Sequence, residues 1–345
     1  MSGEPSRVLI VRLGSLGDLI HTLPAVAELH DSWPHAEIDW VVEQAHADLL
    51  AMVPMLSRVV VLGDRTAAGW WEVIRTLRAR QYDMAIDLQG LVKSASLARF
   101  SSAKRVVGFS ANALRERAAR LFYSETIEVG DDRHVIDKNL QLIRGLKKTS
   151  GIFSGEKDSR RLFRFPLAEP SSPALESLRA QGVQDFAVIN PGAAWPNKRW
   201  HPDAFAAVAL FLHATYGWTP IVLWGPGEQG LAQSICDATG GVARCAPPTK
   251  LADLVAIARA AKLFVSGDTG PLHIAGATGT PIVALFGPTS PARNGPWDHR
   301  DVSISRYDSC ACHYKRACER AETWCLGEIS VDEVMRAIEK RMGPS

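Results

Sequence analysis

Two doubly wound α/β domains, one in each half of the chain, are what the sequence predicts, and three observations predict them. Short apolar runs of four or five residues alternate with longer helix-like segments, as buried parallel strands alternate with the helices that cover them. The alternation runs from residue 8 to residue 146, breaks at a polar, proline-containing stretch, and restarts at residue 186. The chain has 345 residues, 46% hydrophobic and 22% charged, which suits two domains of about 150 residues and is too apolar for a disordered chain.

In the first half, Val8–Val11 is a continuous apolar strand, and the two glycines of Leu13 to Asp18 mark the turn after it. Leu19–Leu29 reads as a helix bent or shortened by Pro24. Ile38–Val42 (strand), Ala45–Met52 (helix), Val59–Leu62 (strand), Trp70–Arg80 (helix) and Met84–Asp87 (strand) follow. Lys93–Phe100 is helical, Arg105–Phe109 and Thr126–Val129 are strands, and His134–Leu146 closes this half as a long helix. Lys147 to Arg161 is mostly polar, and Pro166, Pro170 and Pro173 punctuate what comes next. A linker at about 160–175 therefore separates domains 1–165 and 175–345.

The second half repeats the alternation. Strands are expected at Phe186–Ile189, Pro220–Trp224, Leu263–Ser266 and Ile282–Phe286. Helices are expected at Pro202–Tyr216, Gly230–Thr239, Leu251–Ala261 and Leu272–Thr278. Ser330 and Glu333 form a capping box for a last helix, 331–341, which is free to pack back on the N-terminal domain.

Lys and Arg total 39 against 37 Asp and Glu, a net charge of +2 that gives no global reason to expect a nucleic-acid partner. No apolar run reaches the ~18 residues of a membrane span, and the polar start before Val8 lacks a signal-peptide core. A cytoplasmic protein is expected.

Ligands of doubly wound sheets sit beyond the carboxyl ends of the strands, so chemistry is sought in the turns after strands. The first such turn, Gly14-Ser15-Leu16-Gly17-Asp18, lets the backbone approach a ligand. Asp18 reads either as a plain helix cap or as a general base. His21 can share its face, although a lone histidine reads first as structural. The loop from Asn190 to Trp200 carries Lys198 and Arg199, which suit a diphosphate or form a solvated charged loop. Glu228, just past Trp224-Gly225-Pro226-Gly227, is placed to accept bonds from ribose hydroxyls. The sharpest signal is Ser266-Gly267-Asp268-Thr269-Gly270-Pro271-Leu272-His273. There a strand ends, a turn follows, and Pro271 starts a helix whose first amides point at an anion. A purely structural turn explains the Gly and Pro but less easily Asp268, Thr269 and His273. Near the C-terminus, Cys310, Cys312, Cys318 and Cys325 fall within 16 residues, beside His313. They read as a structural zinc or iron site, as a redox-labile pair, or as uncommitted thiols, and the spacing is not that of paired Cys-x-x-Cys ligands.

Taken together and in this order, these segments resemble the bacterial heptosyltransferases, glycosyltransferase family nine, over nearly the whole chain. The resemblance rests on Val8 to Arg12 with Gly14 to Asp18, on His21-Thr22-Leu23-Pro24-Ala25, and on Asp87-Leu88-Gln89-Gly90-Leu91-Val92-Lys93-Ser94. Pro191-Gly192-Ala193 with Lys198-Arg199-Trp200, Ser266 to His273, and Phe286-Gly287-Pro288-Thr289 complete it. It implies a GT-B fold, two Rossmann-like domains facing a central cleft. The implied reaction moves heptose, with inversion, from ADP-L-glycero-β-D-manno-heptose to a lipopolysaccharide inner-core acceptor, Kdo2-lipid A or heptosyl-Kdo2-lipid A. No cofactor or catalytic metal is implied. By position, the resemblance implies Asp18 as the base and Lys198 as the cation on the donor diphosphate. It gives Glu228 to the ribose, Asp268 to the heptose, Thr269 and Gly270 amides to phosphate, and His273 to that neighbourhood. Lys93 and Arg115 resemble positions that bind anionic Kdo. The N-terminal half looks like heptosyltransferase I, whereas Lys198-Arg199-Trp200 and the cysteine cluster look more like heptosyltransferase II. A lipid-linked acceptor implies peripheral contact with the inner leaflet. Two competitors stand beside this reading. A nicotinamide-dependent oxidoreductase is disfavoured by the missing Gly-x-Gly-x-x-Gly. A non-catalytic nucleotide-sugar-binding protein is disfavoured by the pairing of an acid at the first turn with a cationic loop.

Overall fold

The computed structural model describes residues 4–130, 134–149, 164–318 and 325–343. The chain divides into two compact units, Met1–Ala168 and Glu169–Ser345. Residues 160–163 of the expected linker lie outside the described residues.

The first unit runs β1 (Arg7–Val11), α1 (Leu16–Ile20), α2 (Leu23–Ser32), β2 (Glu37–Glu43), α3 (Ala47–Leu50), β3 (Arg58–Leu62) and α4 (Ala67–Arg78). It continues with β4 (Met84–Asp87), α5 (Val92–Phe100), β5 (Arg105–Phe109), β6 (Glu125–Ile127) and α6 (Val135–Thr149). Its six strands form one parallel sheet in the order β3-β2-β1-β4-β5-β6. The order reverses between β1 and β4, which is where a doubly wound sheet opens its ligand crevice. Val8 to Val11 are fully buried because helices cover both faces of a central strand, and this is why the run is continuous rather than alternating.

The second unit runs α7 (Pro173–Ala180), β7 (Phe186–Asn190), α8 (Pro202–Tyr216), β8 (Thr219–Val222), α9 (Gln229–Ala238), β9 (Arg244–Cys245) and α10 (Leu251–Ala260). Then come β10 (Leu263–Gly267), α11 (Gly270–Thr278), β11 (Ile282–Phe286), α12 (Pro291–Asn294), β12 (Val302–Ser305) and α13 (Val331–Met342). The sheet order, β12-β11-β10-β7-β8-β9, is the same doubly wound order, with its reversal between β7 and β10. The Ser330–Glu333 capping box is present at the start of α13, which packs on α8, β11 and β12 of its own unit.

Several elements differ from expectation. The single helix expected over Leu19–Leu29 is two helices, α1 and α2, broken at His21-Thr22 just ahead of Pro24. Pro24 has no amide to give the Ile20 carbonyl and is tolerated in a first turn, so the chain restarts its helix rather than bending one. Pro173, read as part of a linker, instead opens α7, where the Ser172 hydroxyl caps Leu175 N at 3.0 Å. The helix expected over Ala45–Met52 shrinks to α3 after a 3-10 turn at Gln44–His46. The edge strands β9 and β12 carry no continuous apolar run and were not anticipated.

Candidate active site

In the first unit, polar groups gather at the carboxyl ends of β1 and β2. Asp18 lies in α1, three residues past Ser15, whose backbone N and hydroxyl donate to Asp18 Oδ2 at 3.1 and 3.0 Å. The other carboxylate oxygen pairs with the Arg12 guanidinium at 2.6 Å. Arg12 is itself buried and also donates to the Leu88 carbonyl, so the cation is fixed from beneath while 35% of the Asp18 side chain stays exposed. A fixed, partly open carboxylate beside a buried cation can orient a hydroxyl and take its proton. Gly14 leaves room for a neighbour, since a Cβ there would come within 3.1 Å of His46 Nε2 and 3.8 Å of Glu43 Oε2. Burial lowers the His46 pKa, only partly opposed by the Glu43 charge. Glu43 gathers two cations, Arg65 at 2.7 Å and Lys93 at 3.6 Å.

The structure thus brings Lys93, through Glu43, to the turn that carries Asp18. Arg115 is exposed, and among the described residues no hydrogen bond or ion pair joins it to this group. His21 is buried, lies edge-on to His134 at 5.3 Å, and offers its backbone carbonyl to Asn139 at 3.1 Å.

The second unit carries a tighter cluster. The Asp268 carboxylate, at the end of β10, takes Lys198 Nζ at 2.6 Å, the Thr289 hydroxyl at 2.6 Å and His273 Nε2 at 3.3 Å. Burial opposes its charge, but the bonds and charges of His273 and Lys198 outweigh burial and hold the carboxyl well below the usual carboxylate range. Lys198 Nζ also donates to the Asp268 carbonyl at 3.2 Å and lies 4.7 Å from the centre of the Trp195 ring. An ammonium has three donors, so one remains for a ligand oxygen. Gly267 permits the arrangement, because a Cβ there would stand 2.8 Å from the Lys198 carbonyl.

Thr269 precedes α11 but does not cap it; its hydroxyl accepts from Asn190 Nδ2 at 3.1 Å. The amides at the helix start, from Gly270 on, are therefore not taken by that side chain, and such amides with the helix dipole bind anions. His273 lies one turn further along α11. Glu228 sits just before α9, accepts from Gly225 N at 3.1 Å and pairs with Arg199 at 3.3 Å. It packs against Gly192 so closely that a Cβ there would overlap its carboxylate. Lys198, Asp268, Thr269, Gly270 and His273 thus form one group, and Glu228 stands by the neighbouring Gly192 loop.

Glycosyltransferase family 9 (heptosyltransferase) matches this sequence over residues 70–323. The chain belongs to that family. Among similar proteins, lipopolysaccharide heptosyltransferase 1 of Pseudomonas aeruginosa is 29% identical over 327 residues, 90% of this chain and 87% of that one. Lipopolysaccharide heptosyltransferase 3 of Escherichia coli is 26% identical over 95% of this chain and 97% of its own. Among solved structures, E. coli heptosyltransferase WaaC with ADP-2-deoxy-2-fluoro heptose superposes with a TM-score of 0.76 at 24% identity, covering 97% of this chain and 99% of that one. E. coli heptosyltransferase II gives 0.75 at 20% identity over 98% of each chain. These matches and the two six-stranded parallel sheets make the fold GT-B and the protein a glycosyltransferase; the oxidoreductase reading falls.

In this heptosyltransferase the cysteines that read as a structural zinc or iron site, a redox-labile pair or uncommitted thiols come together in one buried cluster. Cys310, Cys312 and Cys325 are buried against one another, with Sγ separations of 3.6 Å from Cys310 to each of the others, and Cys318 packs at their edge. Among the described residues, no group of three or more His, Cys, Asp or Glu could hold a metal ion. Burial and the neighbouring Cys310 thiol push Cys325 up to about 12.

Several members of these clusters had no role assigned from sequence. Arg12 ends an apolar run within a segment that carries the resemblance, and Asn190 is a polar residue ending a buried strand, but neither was given a role. Ser15 and Thr289 lie inside segments that carry the resemblance, and Trp195 inside the Asn190–Trp200 loop, without a role of their own; Glu43 had none.

Proposed function

We propose that this protein transfers heptose from ADP-L-glycero-β-D-manno-heptose to a lipopolysaccharide inner-core acceptor, Kdo2-lipid A or its mono-heptosylated product. The observation that carries the reading is the Asp268–Lys198–His273 cluster at the start of α11, which offers an anion a half-buried, oriented cation and free helix amides. Relatives support the substrates: lipopolysaccharide heptosyltransferases 1 and 3 among the similar sequences, and WaaC with ADP and with a fluorinated ADP-heptose among the similar folds. Lys198 and the amides of Thr269 and Gly270 neutralise the diphosphate. Asp268 orients Lys198 and the sugar, and His273 supports Asp268. Glu228 accepts from the ribose hydroxyls. Lys93 and Arg115 attract the carboxylates of Kdo.

Asp18 is the base. An acceptor oxygen attacks the anomeric carbon from the side opposite the diphosphate, forming the new C–O bond as the bond to the leaving oxygen breaks. The hydroxyl proton passes to Asp18, and ADP leaves with the bonding electrons, inverting the centre. The chemistry needs no cofactor, because a carboxylate and a set of fixed donors supply both activations. The protein works at the cytoplasmic face of the inner membrane, where a lipid-anchored acceptor is reached.

The test is mass spectrometry of Kdo2-lipid A, and separately of its mono-heptosylated product, after incubation with ADP-heptose. One of the two should gain a heptose mass. Asp18→Asn should bind donor normally by calorimetry and lose about 10²–10⁴-fold in turnover. A wild-type rate in that variant removes Asp18 as the base.

A further inference from the structure

Five large apolar side chains are exposed among the described residues: Trp71, Phe100, Leu121, Leu210 and Tyr314. The three in the first unit fall on adjoining elements. Trp71 is on α4, Phe100 ends α5, and Leu121 lies in the 3-10 turn Arg117–Phe122. α5 packs against both of the other two, and Arg78 Nε of α4 donates to the Phe100 carbonyl at 3.0 Å. Trp71 and Leu121 are not marginally open, at 64% and 85% exposure. On α4, the spacing of Trp71, Arg75 and Arg78 (i, i+4, i+7) puts an aromatic ring and two guanidinium groups on one exposed stripe. The three elements together hold six cations, Arg75, Arg78, Lys93, Arg99, Arg117 and Arg120, against one acid, Glu72.

Building on the proposed lipid-linked acceptor, we propose that α4, α5 and the Arg117–Phe122 turn form a docking surface for an anionic bilayer. Trp71, Phe100 and Leu121 would enter the headgroup region while the arginines meet lipid phosphates. Apolar side chains set among long cationic ones are what an interfacial surface requires: the rings and the leucine bury in the acyl boundary, and the arginine stems reach out to the headgroups. A second copy of the chain fits less well, because a two-fold contact would set this cation-rich surface against itself. α5 also links the surface to the acceptor site. It begins beside Lys93 and ends at Phe100, about 10 Å along its axis at 1.5 Å per residue. An acceptor held in the bilayer by its acyl chains would thus present its headgroup at the Lys93 end.

The full chain should co-float with phosphatidylglycerol/phosphatidylethanolamine vesicles in low salt, release as salt is raised, and float poorly with phosphatidylcholine alone. Vesicles carrying brominated acyl chains should quench Trp71, read as the difference between wild type and Trp71→Ser. The pair Trp71→Ser and Leu121→Ser should lower vesicle affinity at least tenfold with an unchanged Tm, whereas Leu210→Ser, exposed on the second unit, should leave it unaltered. Transfer to a water-soluble, deacylated acceptor should be untouched in all variants. Vesicle binding that survives the double substitution overturns the proposal, as does equal binding to neutral vesicles, or a dimer that the double substitution abolishes. Loss of transfer to the deacylated acceptor in wild type would instead sink the functional reading and leave the vesicle measurement to judge the surface by itself.

Discussion

Each unit ends the strand beside its sheet reversal with a buried aspartate, and the two aspartates are used in opposite ways. Asp87 closes β4 and Asp268 follows β10, each one strand across from the first strand of its unit. Both are followed by a turn containing glycine, Gln89-Gly90 in one and Thr269-Gly270 in the other. Among the described residues Asp87 accepts from neutral donors alone: the Tyr123 hydroxyl at 2.7 Å, the Ser94 hydroxyl at 3.0 Å, and the amides of Gln89 and Gly90 at 2.9 and 3.2 Å. Its burial outweighs those bonds and raises its pKa. Asp268 has Lys198 and His273, and its pKa falls. One topological position therefore holds a carboxylate braced by neutral partners in one unit and a carboxylate held by cations in the other, where we propose that the donor diphosphate binds. The carboxylate alone does not decide; its neighbours do.

The largest expected separation between the two is in activity. Asp268→Asn releases Lys198 and His273 from their orienting charge, and turnover should fall by about 10²–10³-fold, as when one fixed donor is lost from a comparable site. Asp87→Asn should leave kcat per folded molecule near wild type. Kinetics on both variants, normalised to the folded fraction by circular dichroism, check this, and an equal loss in both would break the comparison. The next effect is on stability. Tyr123→Phe deletes the closest donor to a buried carboxylate, and leaving such an acceptor short of a partner costs about 1–3 kcal/mol. A urea midpoint that does not move would mean that Asp87 is braced from elsewhere.

How much of this was legible follows from sequence distance. β1 and β7 could be read because a strand covered on both faces is an unbroken apolar run, and β9, two residues long, has no such run. The Asp268 turn could be read because its strand end, glycines, proline and histidine lie within eight consecutive residues, Ser266 to His273. Its Thr289 partner could not, because it arrives from the end of the neighbouring β11, 21 residues on. Arg12 shows the same limit. Its place at the end of an apolar run was visible, but the Leu88 carbonyl that fixes it lies 76 residues away and is brought close only by the pairing of β1 with β4.

The smallest effect is the most specific, because its sign differs between the two aspartates. A depressed native pKa means that the Asp268 contribution to stability is present above the unfolded-state value, about 3.9, and is lost as pH falls through the lower native value. A raised native pKa gives the reverse for Asp87: its contribution is complete below about 3.9 and is lost as pH rises through the native value. Urea unfolding of wild type, Asp87→Asn and Asp268→Asn, from pH 7 down to the lowest pH at which unfolding is reversible, separates them. The stability deficit of Asp87→Asn should narrow as pH rises, because the wild type then carries the cost of an ionised buried carboxylate that asparagine does not. The deficit of Asp268→Asn should narrow only at the acid end, where the wild-type carboxylate finally takes up a proton and its pairing with Lys198 and His273 is lost. Two deficits drifting in the same direction would mean that the cations beside Asp268 do not set its charge, and the contrast between brace and anion centre would have to rest on geometry alone.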